Sequence, residues 1–161
     1  MIKKILLALL VVLVVIQFIR PGKNISSTIS ANDITLHYAI SSDVLNILKK
    51  SCYDCHSNNT VYPWYNNIQP VAWWLQYHVN DGKKELNFSE FYTYPAKKQS
   101  RKLHELVEQV KGEEMPLNSY LWIHKDAKLD ERQKNAVMSW ADSLQKMIAV
   151  KNNLPAETNE R

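Results

Sequence analysis

The sequence predicts an all-α fold, and three observations point to it. Apolar residues recur at helical rather than alternating spacing around Val44, Ile47 and Leu48, around Leu103, Leu106, Val107 and Val110, and from Ala136 to Ile148. The 161-residue chain holds only three glycines, too few for a loop-rich β fold. Both of its cysteines, Cys52 and Cys55, stand with His56 in one short Cys-Tyr-Asp-Cys-His run, and a helix starting at Ser42 and Asp43 leads into it.

The chain divides into a segment 1–20, a linker 21–40, a helical domain 41–150 and a polar tail 151–161 expected to be disordered. In the first, Ile5 to Ile19 is apolar except for Gln17, with Lys3 and Lys4 before it and Arg20-Pro21-Gly22-Lys23 after it. This reads as an N-terminal transmembrane or signal-anchor helix. At about 1.5 Å per residue it spans about 22 Å, short of a roughly 30 Å hydrocarbon core, a gap that snorkelling lysines would cover. Bulky residues after the run favour an uncleaved anchor over a cleaved signal peptide. Lys3 and Lys4 keep the N-terminus inside, so a single-pass protein of the cytoplasmic membrane is expected, its domain on the periplasmic side.

The linker has no sustained periodicity, and His37 within it reads as a surface residue. After His56, the turn Ser57-Asn58-Asn59-Thr60 leads into Val61-Tyr62-Pro63-Trp64-Tyr65, an aromatic, proline-broken stretch suited to a pocket wall. Pro70 opens a helix that carries Trp73, Trp74, Tyr77 and His78, with Asp81-Gly82 expected to stop it. Leu86 to Phe91 is a short aromatic turn, and Pro95 begins an amphipathic helix in which His104 lies on the solvated side. That helix ends near Gly112, leaving Met115 in a loop before Pro116. Asp130 starts the clearest helix, whose apolar face runs from Ala136 to Ile148 and takes in Met138 and Met147. A net charge of +4 is spread among interleaved acids, which argues against nucleic-acid binding.

Cys-x-x-Cys-His is the pattern of covalent c-type haem attachment, with two thioethers from Cys52 and Cys55 and His56 as the proximal iron ligand. The alternatives fit less well. A thioredoxin-like pair belongs beside a strand–helix–strand unit, a structural zinc lacks a second ligand pair, and a disulfide leaves His56 unexplained. For the sixth iron position Met115 is the expected ligand, a soft thioether standing outside any apolar stripe, and His78 is its rival. The aromatic residues Trp64, Tyr65, Trp73 and Trp74 suit either a haem pocket or ordinary core.

The order of helix, Cys-x-x-Cys-His, Met-Pro loop and C-terminal helix resembles class I c-type cytochromes, which implies that the first and last helices of the domain pack together beside the haem. A closer resemblance rests on Ser51 to Asn58, Tyr62-Pro63-Trp64-Tyr65, Leu86-Asn87-Phe88-Ser89-Glu90 and Met115-Pro116. These strings are similar to those of the small membrane-anchored haem-binding domains of bacterial envelopes. That resemblance implies a cytochrome c-like helical domain with one covalent haem c per chain. The reading is a membrane-tethered electron carrier with His56 and Met115 on the iron and a redox protein as partner, rather than an enzyme. Set against it are a haem-based sensor or peroxidase-like enzyme with an open or His78-ligated sixth position, and a non-haem interaction module using the aromatic face.

Overall fold

In the computed structural model, which describes residues 1–155, the chain is all-helical, with no strand among the described residues. Of the tail expected to be disordered, residues 156–161 lie outside the described residues.

α1 (Ile2–Ile16) contains no buried residue, and Gln17 ends it. The apolar run read as Ile5–Ile19 is therefore split, because Gln17 to Ile19 leave the helix and turn to the domain. The Gln17 side chain exchanges hydrogen bonds with the backbone of Gln69, accepting from its N–H at 2.9 Å and donating to its carbonyl at 3.3 Å. The Ile19 carbonyl accepts from Trp73 Nε1 and Gln69 Nε2, both at 2.9 Å. Only Ile5 to Ile16 of the run stays helical, in a helix of 15 residues that includes Lys3 and Lys4, about 22 Å long against a core of roughly 30 Å. Among the described residues no helix is long and apolar enough to cross a membrane. The expected transmembrane helix, and with it the expected single-pass placement with a periplasmic domain, is corrected on that ground.

The linker lies along the domain. Asn24 donates to the Ser57 carbonyl and Thr60 Oγ1 and accepts from Lys83, which ties the linker to the turn after His56. α2 (Ile34–His37) is a single turn capped by the buried Asp33, whose carboxylate accepts from the Thr35 N–H. His37 is exposed and stacks on Tyr92 at 3.6 Å. α3 (Ser42–Ser51) starts where Ser41 caps the Val44 N–H, and its Val44, Ile47 and Leu48 are buried. α4 (Tyr53–His56) follows after Cys52, whose non-helical backbone separates the two helices.

α5 (Val71–Glu85) does not stop at Asp81-Gly82 as expected but continues through it. Gly82 is there for another reason. A Cβ at this position would stand 2.8 Å from the Cys55 carbonyl oxygen and 3.0 Å from the Cys55 Cβ. The missing side chain is what lets α5 cross directly over α4. Glycine inside a helix costs about 1 kcal/mol relative to alanine, so the position gives up local stability for close approach.

α6 (Ala96–Lys111) turns Leu103, Val107 and Val110 inward, α7 (Asn118–Leu121) is one turn, and α8 (Glu131–Lys151) packs along α6 and against α3. Asp130 and Gln133 form the capping box that begins α8. The core gathers Ile34, Leu48, Phe88, Phe91, Leu103, Val137, Ala141 and Ile148, all fully buried or nearly so. Each of these side chains except the small Ala141 contributes about 1.5–3 kcal/mol. Met138 packs against this core, whereas Met147, expected in it, is half exposed because Leu144 and Ile148 already fill the inward positions.

Replacing Gly82 with alanine sets helix propensity, which favours alanine, against the contact with Cys55, which forbids it. Gly82→Ala is expected to destabilise the protein by about 1–3 kcal/mol in urea unfolding. A raised unfolding midpoint would show that the crossing is not tight.

Candidate functional site

The site begins with the backbone break at Cys52. The Cys52 N–H still bonds to the Leu48 carbonyl, and the His56 N–H bonds back to the Cys52 carbonyl at 2.9 Å, so α3 and α4 present both cysteines and the histidine from one short, doubly anchored segment. Both thiols are free. Burial raises the Cys52 thiol to about 12 with the neighbouring Cys55 adding to it, and burial with nearby Asp54 raises Cys55 to about 11. Both are therefore protonated at neutral pH.

His56 is fixed by a partner thirty residues away, as its Nδ1 lies 2.9 Å from the Leu86 carbonyl oxygen. A carbonyl can only accept, so Nδ1 carries the proton. Burial lowers the pKa of His56 despite that hydrogen bond, keeping the ring neutral, and a neutral ring protonated at Nδ1 leaves the Nε2 lone pair free for a metal. The acceptor belongs to Leu86, the residue that ends α5 and whose extended backbone takes its carbonyl out of the helix.

That carbonyl is held in place by a clasp. Asn87 Nδ2 donates to Asn58 Oδ1 at 2.9 Å, Asn58 Nδ2 donates to Glu90 Oε1 at 2.7 Å, and the Asn58 N–H donates to Ser89 Oγ at 3.1 Å. Asn87 and Ser89 are buried. Phe88, between them, meets His56 edge-on at 6.5 Å and stacks on Tyr53 at 5.2 Å. The turn after His56 and the turn after α5 thus fasten to each other across the histidine.

Two adjoining cavities, of about 360 and 250 Å³, open on this segment, the larger of them within the roughly 300–1,000 Å³ of small-molecule sites. Cys52, His56, Met115 and Pro116 line both of them, and Cys55 and His78 line the second. The structure therefore brings Cys52, Cys55, His56 and Met115 to one place. Met115 sits in the loop after α6, its N–H bonded to the Gln109 carbonyl at 3.2 Å. His78 reaches the second cavity from α5, with Nδ1 donating to the Trp74 carbonyl at 2.9 Å. Of the aromatic residues read as pocket walls, Tyr65 and Trp74 line a third cavity beyond Asp54 and Cys55, while Trp64 and Trp73 line none of the three and are exposed.

Sequence reasoning missed Lys102. Its side chain is 7% exposed and forms ion pairs with Glu85 at 2.9 Å and Glu105 at 2.6 Å, and all three line the larger cavity. Burial lowers the lysine pKa, but hydrogen bonds and charge from Glu105 and Glu85 outweigh it, so the ammonium stays charged. The only available signal was a lysine one residue before buried Leu103 on the amphipathic helix, which is no different from a solvated position.

Among the described residues no three His, Cys, Asp or Glu side chains gather to hold a metal ion by themselves, so the zinc reading of the cysteine pair has no ligands. The donor set fits a haem instead, with an imidazole presenting Nε2 and a thioether on cavities lined largely by apolar side chains.

Comparison with known proteins agrees. No curated protein and no solved structure matches the chain. The model of the haem-binding domain family matches residues 11–143, which span the motif, the clasp, the Met115 loop and most of α8. With a match over that much of its length, the chain belongs to the haem-binding domain family, and the protein is a haem-binding protein.

Proposed function

We propose that the protein carries one haem c, joined by thioethers from Cys52 and Cys55 and ligated by His56 and Met115, and that it serves as an electron carrier for a redox protein partner. The observation that carries this reading is the hydrogen bond from His56 Nδ1 to the Leu86 carbonyl. It selects the tautomer whose Nε2 can bind iron, in a residue that lines the same cavities as Cys52 and Met115.

When bound, the haem supplies a one-electron iron(III)/iron(II) couple. The chain supplies the rest. Cys52 and Cys55 would hold the haem as thioethers, the S–H of each thiol adding across a vinyl group with no net oxidation. His56 donates through Nε2 and is held against rotation by Leu86. The Met115 thioether, a soft ligand, favours the reduced iron and raises the potential, and filling the sixth position excludes substrate from the metal. A second reading, with His78 as sixth ligand or with that position open as in a sensor or peroxidase, draws on His78 lining the smaller cavity with Nδ1 already engaged.

Produced with a c-type maturation system, the wild-type chain is expected to keep its haem after denaturation, and the Cys52→Ala/Cys55→Ala double variant to lose it. Haem extractable from the wild type would overturn covalent attachment. Met115→Ala is expected to lose the methionine-to-ferric-iron absorption band and to bind carbon monoxide rapidly once reduced. An unchanged spectrum would move the assignment to His78.

In the haem-free chain, raised thiol pKa values mean that the thiolate fraction is small at pH 8 and grows as pH approaches 11. Alkylation by iodoacetamide is therefore expected to be slow at pH 8 compared with the unfolded chain and to accelerate with pH. Equal rates for folded and unfolded chains would show that the thiols are not sequestered.

A further inference from the structure

The segment from Gly112 to Ala127 crosses in front of the attachment motif, and it is pinned at both ends. At its start, the N–H groups of Glu114 and Met115 both donate to the Gln109 carbonyl, at 3.0 and 3.2 Å, and Glu113 pairs with Lys134 of α8. At its end, Ser51 Oγ donates to the Ala127 carbonyl at 2.8 Å, and an exposed pair joins Lys50 to Asp126 at 3.5 Å. Between them, His124 Nε2 lies 2.9 Å from Tyr65 Oη, and a second bond reaches the motif. Tyr120 Oη donates to Asp54 Oδ2 at 2.7 Å, and Asp54 is the second intervening residue of Cys-Tyr-Asp-Cys-His. The other carboxylate oxygen, Oδ1, accepts from the Val61 N–H at 2.9 Å, so the carboxylate is held from both sides. Tyr120 also lines the smaller cavity together with Cys55, His56 and Met115.

We propose that Tyr120 is a positioning residue, which through Asp54 fixes the loop carrying Met115 at a set distance from the attachment motif and so holds the sixth ligand on the iron. This deepens the functional reading above and rests on its assignment of Met115. The phenol and the carboxylate form a charge-assisted hydrogen bond, the strong kind, and they link the residue between the two cysteines to the segment five residues past Met115. Other ties of the segment end on α6, α8 and α3 and, through His124, on Tyr65; this one ends on the motif itself. Loss of the Tyr120 hydroxyl leaves the backbone path intact but frees the loop to move away from the histidine side.

The test compares the full chain, loaded with haem, as wild type, Tyr120→Phe, Asp54→Ala, the double variant, Met115→Ala, and Lys50→Ala as a second break in the same segment. Tyr120→Phe is expected to keep its covalent haem, lose much of the methionine-to-iron band, and bind carbon monoxide about tenfold faster when reduced, the loss expected for one hydrogen bond to a charged group. Asp54→Ala is expected to act alike and the double variant no worse than either, whereas Lys50→Ala leaves band and rate unchanged. In the haem-free chain, Tyr120→Phe is expected to speed amide hydrogen exchange across residues 115–124. Wild-type band, rate and exchange in Tyr120→Phe, with the band lost in Met115→Ala, would overturn the positioning role and leave the ligand assignment standing. A wild-type band in Met115→Ala would instead remove the ligand, and with it the role proposed for Tyr120.

Discussion

One hydrogen bond organises the site, from His56 Nδ1 to the Leu86 carbonyl. It makes two demands on the rest of the molecule. The carbonyl has to leave the helical direction just where α5 ends, and the chain after α5 has to come back against the turn after His56. The first demand is met by the extended backbone of Leu86. The second is met by the amides of Asn58 and Asn87 together with Ser89 and Glu90. α5 can end there only because it crosses α4 at Gly82, where any side chain would meet the Cys55 carbonyl. The glycine, the asparagine clasp and the neutral imidazole are thus parts of one arrangement.

The large cavity has an electrostatic counterpart to this geometry. Lys102 holds a nearly buried ammonium on the cavity wall, balanced by two carboxylates that reach solvent. A buried charge left without partners would cost several kcal/mol, so Glu85 and Glu105 are needed for Lys102 to stay where it is. Glu85 directly precedes Leu86, which places the charge balance beside the residue that orients the histidine.

The helical class and most helix positions were legible because apolar spacing and caps are local signals. Asp130 caps the helix read from it, the helix read from Ser42 and Asp43 is capped by Ser41 just before them, and Leu103, Val107 and Val110 face inward as their spacing implies. The motif at Cys52, Cys55 and His56 was legible for the same reason, since its three groups are nearly adjacent in sequence. Errors arose where a local signal has two meanings. Gly82 looks like a helix stop, and only the crossing with α4, a tertiary fact, shows it to be a point of contact. The apolar run Ile5–Ile19 looks continuous, yet Gln17 and Ile19 are drawn off by Gln69 and Trp73, some fifty residues away. Leu86 was not found as the histidine's partner because a backbone carbonyl leaves no trace in residue type, and Lys102 because a lysine's burial depends on which carboxylates come to meet it.

That the acceptor for His56 is a main-chain atom has a consequence for how the site tolerates change. A carboxylate or amide acceptor could be deleted by one substitution, but the Leu86 carbonyl is present whatever side chain occupies the position. Only changes that release Asn58 from Asn87 and Ser89 would move it. Sequence drift at residue 86 itself is therefore limited by the packing of its buried side chain and not by its partnership with His56, so the orientation of the imidazole is insulated from the commonest kind of mutation.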